Sequence, residues 1–269
     1  MTATACQRWR ERRDSYRPAG EPIDTSRYGV EVVEERDAKR FVVAHHYSAS
    51  MVAARVCVGL YRSRAWITPE LVGVAVFSVP AGPAVLGRWF DEVPAVELGR
   101  LVLLDEVPAN GESWFVARAF RALRRELPDV RGVLSFSDPV QRVSADGRVT
   151  VPGHIGVVYQ ALNGAHLGRS TPRTLIVAPD GSILSERALS KLRTGDRGAD
   201  YTYALLKRWG APVRRIDEDG GAYVRRALAD RNLFRRVRHP GNLAYGWRLD
   251  GAKLASRPYP KGEVLVRAA

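Results

Sequence analysis

The sequence predicts a mixed α+β fold: a mixed sheet flanked by helices, with a basic C-terminal extension. Three observations carry this. A strand-like run, Leu98 to Leu104, leads through an Asn-Gly turn into an amphipathic helix-like run, Val116 to Leu127, and a second strand-like run, Gly132 to Ser137, follows. Upstream, the β-rich runs Val56 to Tyr61 and Leu71 to Val79 are spaced as a hairpin. Downstream, charge is uneven: 42 Lys and Arg against 29 Asp and Glu give +13, and residues 200–269 alone hold 15 basic and 7 acidic side chains. Such a surplus favours a polyanionic partner, nucleic acid before membrane. At 269 residues the chain can bury one large core, or one core with a subdomain.

In chain order, residues 1–27 read as a flexible basic and polar lead-in, with Pro18, Gly20 and Pro22. Val30 to Val33 is a short strand. Asp37 caps a helix with Phe41, Ala44 and His45 on its buried face, which leaves His46, about 100° further round, the more exposed histidine. The hairpin loop carries Trp66 and Pro69, and Gly, Pro and Ala make 80–84 a loop. Val116, Ala119, Phe120, Leu123 and Leu127 recur at helical spacing opposite Arg118, Arg121 and Arg125, and Pro128 stops that helix. The strand at 132–137 ends on Asp138-Pro139, and Asp146-Gly147 marks a turn. Leu175 to Ala178 is a strand before the turn Pro179-Asp180-Gly181. Ser185 to Arg193, Tyr201 to Trp209 (Gly210 at its C-cap) and Tyr223 to Val237 are helix-like. In the last, Arg231, Arg235 and Arg238 fall at helical spacing as one basic stripe, a solvated face or a nucleic-acid contact. The divisions are 1–27 lead-in, 28–178 core and 179–269 basic helical extension with closing strands.

Cys6 and Cys57 make neither a disulfide framework nor a CxxC metal pair, and Cys57 reads as a small core residue. With no 18-residue apolar span and no signal-peptide pattern, a cytoplasmic protein without a membrane anchor is expected.

The turn Asn110-Gly111-Glu112-Ser113 places backbone N–H groups at a helix N-terminus, where partial positive charge draws phosphate or pyrophosphate. These four residues are the candidate cofactor-binding set. Trp114 covers that cofactor or fills the core. The strand–helix–strand order matches an acetyltransferase-like (GNAT) unit, in which such a terminus cradles coenzyme A. The usual Q/R-x-x-G-x-G/A loop of that superfamily is missing, and Val107 to Ser113 stand in its place.

Six segments together resemble the Mom family of phage DNA-modification proteins. They are His46-Tyr47-Ser48, Glu97-Leu98-Gly99-Arg100-Leu101-Val102, Asn110 to Phe115, Ser137-Asp138-Pro139, Gly153 to Ala161, and Arg238-His239-Pro240-Gly241-Asn242. They occur in order across residues 40–245. The resemblance implies a GNAT-type fold and a transferase of phage or prophage origin. Its reaction would convert the N6 of adenine in double-stranded DNA to a carbamoylmethyl form, protecting that DNA from host restriction in the host cytoplasm. It also implies iron. Two rival readings stand beside it: a non-catalytic DNA-binding protein on a GNAT scaffold, and a coenzyme A-dependent N-acyltransferase for a small amine or protein.

An exocyclic adenine amine is a poor nucleophile, so its modification needs a base or polarising group, an activated donor and a base taken out of the stack. His46, Tyr47 and Asp138 are the residues expected at that centre. Asp138 follows a buried strand, where a site residue or a simple turn acid is commonly found. The same three offer an N/O set for ferrous iron. Tyr159 supplies a proton, stacks on a base or fills the core. Glu97 and Arg100 bracket the central strand, pairing across it or orienting the site. Arg225, Arg226, Arg231, Arg235 and Arg236 are the expected phosphate contacts.

Overall fold

The computed structural model describes residues 22–261 apart from 65, 66, 81 and 83, together with the strand backbones at 5–10, 13–18 and 265–266. The lead-in, expected to be flexible, carries an antiparallel ribbon of β1 (Ala5–Arg10) and β2 (Arg13–Pro18), paired from Ala5 with Pro18 to Arg10 with Arg13. Strand β3 (Tyr28–Val32) precedes α1 (Glu35–His45). The helix starts two residues before Asp37: Glu34 is its N-cap, and Glu35 and Asp37 supply the negative charge its first turn favours. Its buried face is Ala38, Phe41 and Val42, so Ala44 and His45 turn to solvent.

The hairpin is β4 (Ala54–Arg64) with β5 (Ile67–Ser78), and Pro69 lies inside β5. Trp66 falls outside the described residues. A helix, α2 (Ala84–Phe90), begins where only a loop is expected. Its Phe90 is buried against Leu134, Leu167 and Ala244, and that packing outweighs a weak local pattern. Next come β6 (Ala95–Leu103), α3 (Gly111–Glu126), β7 (Gly132–Ser137), β8 (Val140–Val143) and β9 (Val149–Val151). They are followed by α4 (Val157–Ala161), β10 (Ala165–Arg169), β11 (Arg173–Val177) and β12 (Ile183–Leu184). The chain continues through α5 (Glu186–Thr194), α6 (Ala199–Arg208), α7 (Gly220–Ala227), β13 (Arg235–His239), β14 (Leu243–Arg248) and β15 (Leu265–Val266).

The main sheet has seven strands in the order β10-β14-β7-β6-β5-β4-β3. All its neighbours are antiparallel except β6 and β7. This antiparallel meander, a helix, and a return to a parallel neighbour make the mixed sheet flanked by helices that the sequence predicts. The parallel pair is short: only Ala95, Val96 and Glu97 pair with Gly132, Val133 and Leu134. Beyond Glu97 the two strands splay.

A bulge interrupts β6 on its other side, against β5. Val76 pairs with Arg100 and Phe77 with Leu98, leaving Gly99 as the extra residue. A Cβ at Gly99 would stand 2.6 Å from Ser78 Oγ, so glycine fits the bulge where a side chain would not. The insertion resets the alternation. Val96 and Leu98 before it, and Leu101 and Leu103 after it, all meet the core under α3. That core holds Phe115, Val116, Ala119 and Leu123 of α3, fully buried.

A second core forms a satellite lobe. The sheet β12-β11-β13 carries α5, α6 and α7, with Leu189, Leu206, Tyr223 and Phe234 buried among them. Strand β11, which precedes residue 178, belongs to the lobe's sheet, while β14 joins the main sheet between β10 and β7. The helix expected over 223–237 ends at Ala227. Asp230 breaks it, its carboxylate accepting the N–H groups of Asn232 (2.9 Å) and Leu233 (3.2 Å). Residues 235–239 are a strand. Arg231, Arg235 and Arg238 therefore form no helical stripe; Arg236 and Arg238 share the exposed side of β13. No described helix is long and apolar enough to cross a membrane.

Candidate active site

The site lies in the splay between β6 and β7, where the end of α1, the end of β7 and the segment before α4 converge. Helix α1 stops at His45, and His46 is its C-cap in extended conformation (φ −86°, ψ 137°). Helical geometry therefore does not place His46. The expectation about the two histidines is reversed: His46 is buried, at 9% exposure, and His45 is exposed.

The 46–50 loop is fastened to β6. Arg100 donates from Nε to Ser50 O (2.8 Å) and from Nη2 to Ser50 Oγ (3.1 Å). Ser50 Oγ donates to Ser48 Oγ at 3.3 Å, and Ser48 Oγ lies 2.8 Å from His46 Nδ1. The Ser48 N–H also donates to His46 Nδ1 (3.1 Å). A nitrogen that accepts a backbone N–H carries no proton, so the neutral ring is protonated on Nε2. Burial, reinforced by the charges of Arg100 and His154, lowers the His46 pKa to about 3. The ring is thus neutral at physiological pH and offers a donor, not a lone pair, at Nε2.

Tyr47 stacks on His46 with ring centroids 4.2 Å apart. Burial, and next the charge of Asp138, raise its phenol above the usual value, so it is a neutral acid. Asp138 follows β7. Its Oδ1 accepts from the Val140 N–H (3.0 Å) and lies 2.9 Å from His239 Nε2; Arg142 Nη2 is 3.5 Å from Oδ2. Burial works to raise this carboxyl. The His239 hydrogen bond, Arg142 and the Val140 N–H together prevail and hold it below the ordinary carboxylate value.

His154 donates its backbone N–H to Asp138 O (2.7 Å), which pins the 153–156 segment to the end of β7. Burial lowers the imidazole pKa against the pull of Asp138, so His154 too is held toward its neutral form. Tyr159 lies in α4. Its ring packs on Tyr245 and Trp247 and its hydroxyl bonds Ser135, whose Oγ donates to Leu98 O at 2.9 Å. Ser135 thereby ties β7 to β6 across the splay, and Tyr159 of α4 packs on it. Burial pushes the Tyr159 phenol up to about 12. Glu97 is also raised by burial, and burial lowers Arg100.

His46, Tyr47, Asp138 and Tyr159 are thus brought into one electrostatic neighbourhood with Glu97 and Arg100. Sequence reasoning assigned no role to His154, His239, Arg142 or Ser135. Scarcity was the available signal: of five histidines in the chain, His154 and His239 lie against Asp138, and His46 lies beside His154.

The expected cofactor sites fit less well. Asn110 is the N-cap of α3 in left-handed conformation (φ 63°) and makes no side-chain cap. The Gly111 N–H donates to Pro108 O (3.2 Å), and Ser113 Oγ donates to Asn110 O (3.0 Å). Glu112 adds a negative charge to the first turn of α3, which a pyrophosphate there would oppose. Trp114 is half-buried and carries the Arg118 guanidinium 3.8 Å above its ring. For iron, no group of three His, Cys, Asp or Glu able to hold a metal occurs among the described residues. His46 turns its accepting nitrogen to Ser48, and Asp138 Oδ1 is filled by two donors. No step below is routed through either group.

Of the five arginines expected on phosphates, Arg225, Arg231 and Arg236 are exposed. Arg226 is bound to Glu218 (Nη2 to Oε2, 2.5 Å; Nε to Oε1, 2.8 Å), and Arg235 Nη2 donates to Val143 O at 2.9 Å.

A mixed α+β fold whose sheet splay gathers a carboxylate, two neutral histidines and a neutral tyrosine defines the class: an α+β protein with a candidate acid–base site. The family model described as the Mom protein family matches residues 27–209, and the chain belongs to that family. Methylcarbamoylase mom of Escherichia phage Mu is 27% identical over 183 residues, 66% of this chain and 68% of that protein. A tandem GNAT protein from the clavulanic acid biosynthesis pathway, solved without AcCoA, aligns with a TM-score of 0.34 and 10% identity, over 68% of this chain and 64% of its own.

Proposed function

We propose that this protein is a transferase that modifies adenine in double-stranded DNA at N6, adding a carbamoylmethyl group that shields phage or prophage DNA from restriction in the host cytoplasm. The observation that carries the reading is Asp138: a carboxylate kept ionised in a desolvated splay, beside the Tyr47 phenol and the His154 imidazole, both held toward their neutral forms. Family membership and the printed activity of the Mu relative support it.

The N6 lone pair is delocalised into the purine, so bond formation must be accompanied by loss of an N6 proton. Asp138 Oδ2 accepts that proton as N6 bonds to the methylene carbon of the donor. The leaving group departs with the bonding pair and takes the phenolic proton of Tyr47. Nε2–H of His46 donates a hydrogen bond to the base or to the carbonyl of the transferred group. Tyr159, with its hydroxyl already on Ser135, acts by packing on the residue that ties β7 to β6. A base can enter such a pocket only when flipped out of the duplex.

Nucleoside mass spectrometry on DNA from cells expressing wild type or Asp138→Asn tests this. A deoxyadenosine adduct is expected with wild type, reduced on the order of 10²–10⁴-fold in the variant, the range for a general base. Unmodified DNA beside soluble wild-type protein would replace this reading with the DNA-binding or acyltransferase rival.

A further inference from the structure

The carboxylate that this reading uses is held by a histidine from the far end of the chain. His239 closes β13, the strand of the satellite lobe that runs back to the main sheet, and it lies beyond the stretch 27–209 matched by the family. It is completely buried. Its Nδ1 accepts the Gly241 N–H at 3.1 Å. An accepting nitrogen carries no proton, so in the neutral ring Nε2 does, and it donates to Asp138 Oδ1 at 2.9 Å.

The turn that sets this tautomer is itself clamped. Gly241 has φ +96°, and a Cβ there would stand 2.0 Å from Ser170 O, so only glycine brings the backbone this close. Asn242 donates its N–H to Ser170 Oγ and accepts from Ser170 N, both at 2.8 Å. With the ring fixed, Asp138 Oδ1 receives two donors, His239 Nε2–H and the Val140 N–H. That fixes the carboxylate plane and leaves Oδ2, with Arg142 3.5 Å away, to face the reaction.

We propose that His239 is a positioning residue for the N6 transfer: its fixed Nε2–H tautomer aims Asp138 so that Oδ2 meets the amine. The inference rests on the function proposed above for the mechanism, but its geometry can be tested separately. His239 reaches the base only through Asp138, so it governs turnover and not DNA capture.

Two measurements on the full chain decide it. The first is long-range ¹H–¹⁵N correlation NMR of ¹⁵N-labelled wild type at neutral pH. An Nε2–H tautomer at His239 is expected, and an Nδ1–H tautomer overturns the proposal whether or not any adduct is ever detected. The second compares His239→Gln, whose amide N–H reaches for the same oxygen, with His239→Met, which fills the space without a donor. The Met variant is expected to lose on the order of 10–100-fold in kcat, the range seen for hydrogen-bond partners that orient metal ligands, taken here for a partner that orients a base. Its KM for DNA should hold, and Gln should recover most of the loss. Equal impairment of Gln and Met, or a loss confined to KM, overturns it. If the Met variant does not fold, the tautomer measurement on wild type still decides. Absence of an adduct from wild type, with the Nε2–H tautomer present, would sink the adenine reading and leave the His239–Asp138 geometry standing.

Discussion

In the splay of the main sheet, His46, Tyr47, Glu97, His154 and Tyr159 are all displaced toward uncharged forms, with burial the leading cause for each. The satellite lobe treats charge the opposite way. Its arginines stay in water or pair locally, Arg226 with Glu218 and Arg193 with Glu186. Burying ionisable groups costs stability, and surface pairs contribute little. The chain thus concentrates its desolvated ionisable groups in one cleft and leaves the lobe's charges in water. The lobe is not independent of the cleft, because β13 delivers His239 to Asp138.

The largest expected effect tests whether the two cores are one unit. Phe115 in the main core and Phe234 in the lobe are both essentially unexposed. Truncating either to alanine should cost about 3–5 kcal/mol. We expect Phe115→Ala to lower the whole urea unfolding curve. Phe234→Ala should split it into two steps, the lobe melting first and hydrogen-exchange protection around Asp138 falling with it. One cooperative transition in both variants would break the comparison and merge the two cores into a single folding unit.

The main sheet was the more legible region. The strand–helix–strand unit from Leu98 to Ser137 shows its period directly, because α3 buries one face against a continuous core. His46, Tyr47, Asp138 and Tyr159 were readable as residue types at element ends. His46 was misplaced relative to solvent because the helix ends one residue before it, a boundary that depends on the extended C-cap and not on periodicity. In the lobe, the pattern from Arg231 to Arg238 satisfies a helix as well as a strand. Only the turn built on the Asp230 carboxylate, and the pairing of β13 with β11 (Leu175 opposite Val237), decide between them. His239 could not be recognised as Asp138's partner because the contact spans 101 positions and follows from strand order alone.

An intermediate effect separates the regions by pH. The His46 pKa falls from 6.5 to about 3 on folding, so the unfolded chain binds the extra proton between those values. Its contribution is therefore complete above pH 6.5 and is lost as pH falls toward 3, at up to about 1.4 kcal/mol per pH unit. His154 acts with the same sign. Glu218 in the lobe is lowered from 4.5 to about 2 by its hydrogen bond to Arg226, so its contribution is lost only as pH falls through that lower window. Denaturation at pH 7 and pH 5 should show wild type losing stability that His46→Gln does not lose. Equal losses in both would mean that the imidazole is not desolvated in solution.

The smallest effect concerns the lobe's surface. Arg225, Arg231 and Arg236 are exposed, whereas Arg226 is committed to Glu218 and Arg235 to Val143 O. If the lobe is the DNA contact surface, each exposed arginine on a phosphate releases a counterion. Its removal should reduce the slope of log affinity against log salt by about 0.9 per contact. The triple variant Arg225→Ala/Arg231→Ala/Arg236→Ala should therefore bind DNA more weakly and with a flatter salt dependence. Arg226→Ala should leave that slope alone and instead release Glu218, which also accepts the Arg215 N–H at 3.1 Å. Fluorescence anisotropy across a salt series distinguishes them. A slope unchanged in the triple variant would move the DNA contact off the lobe and onto the rim of the splay, where Arg142 already stands beside Asp138.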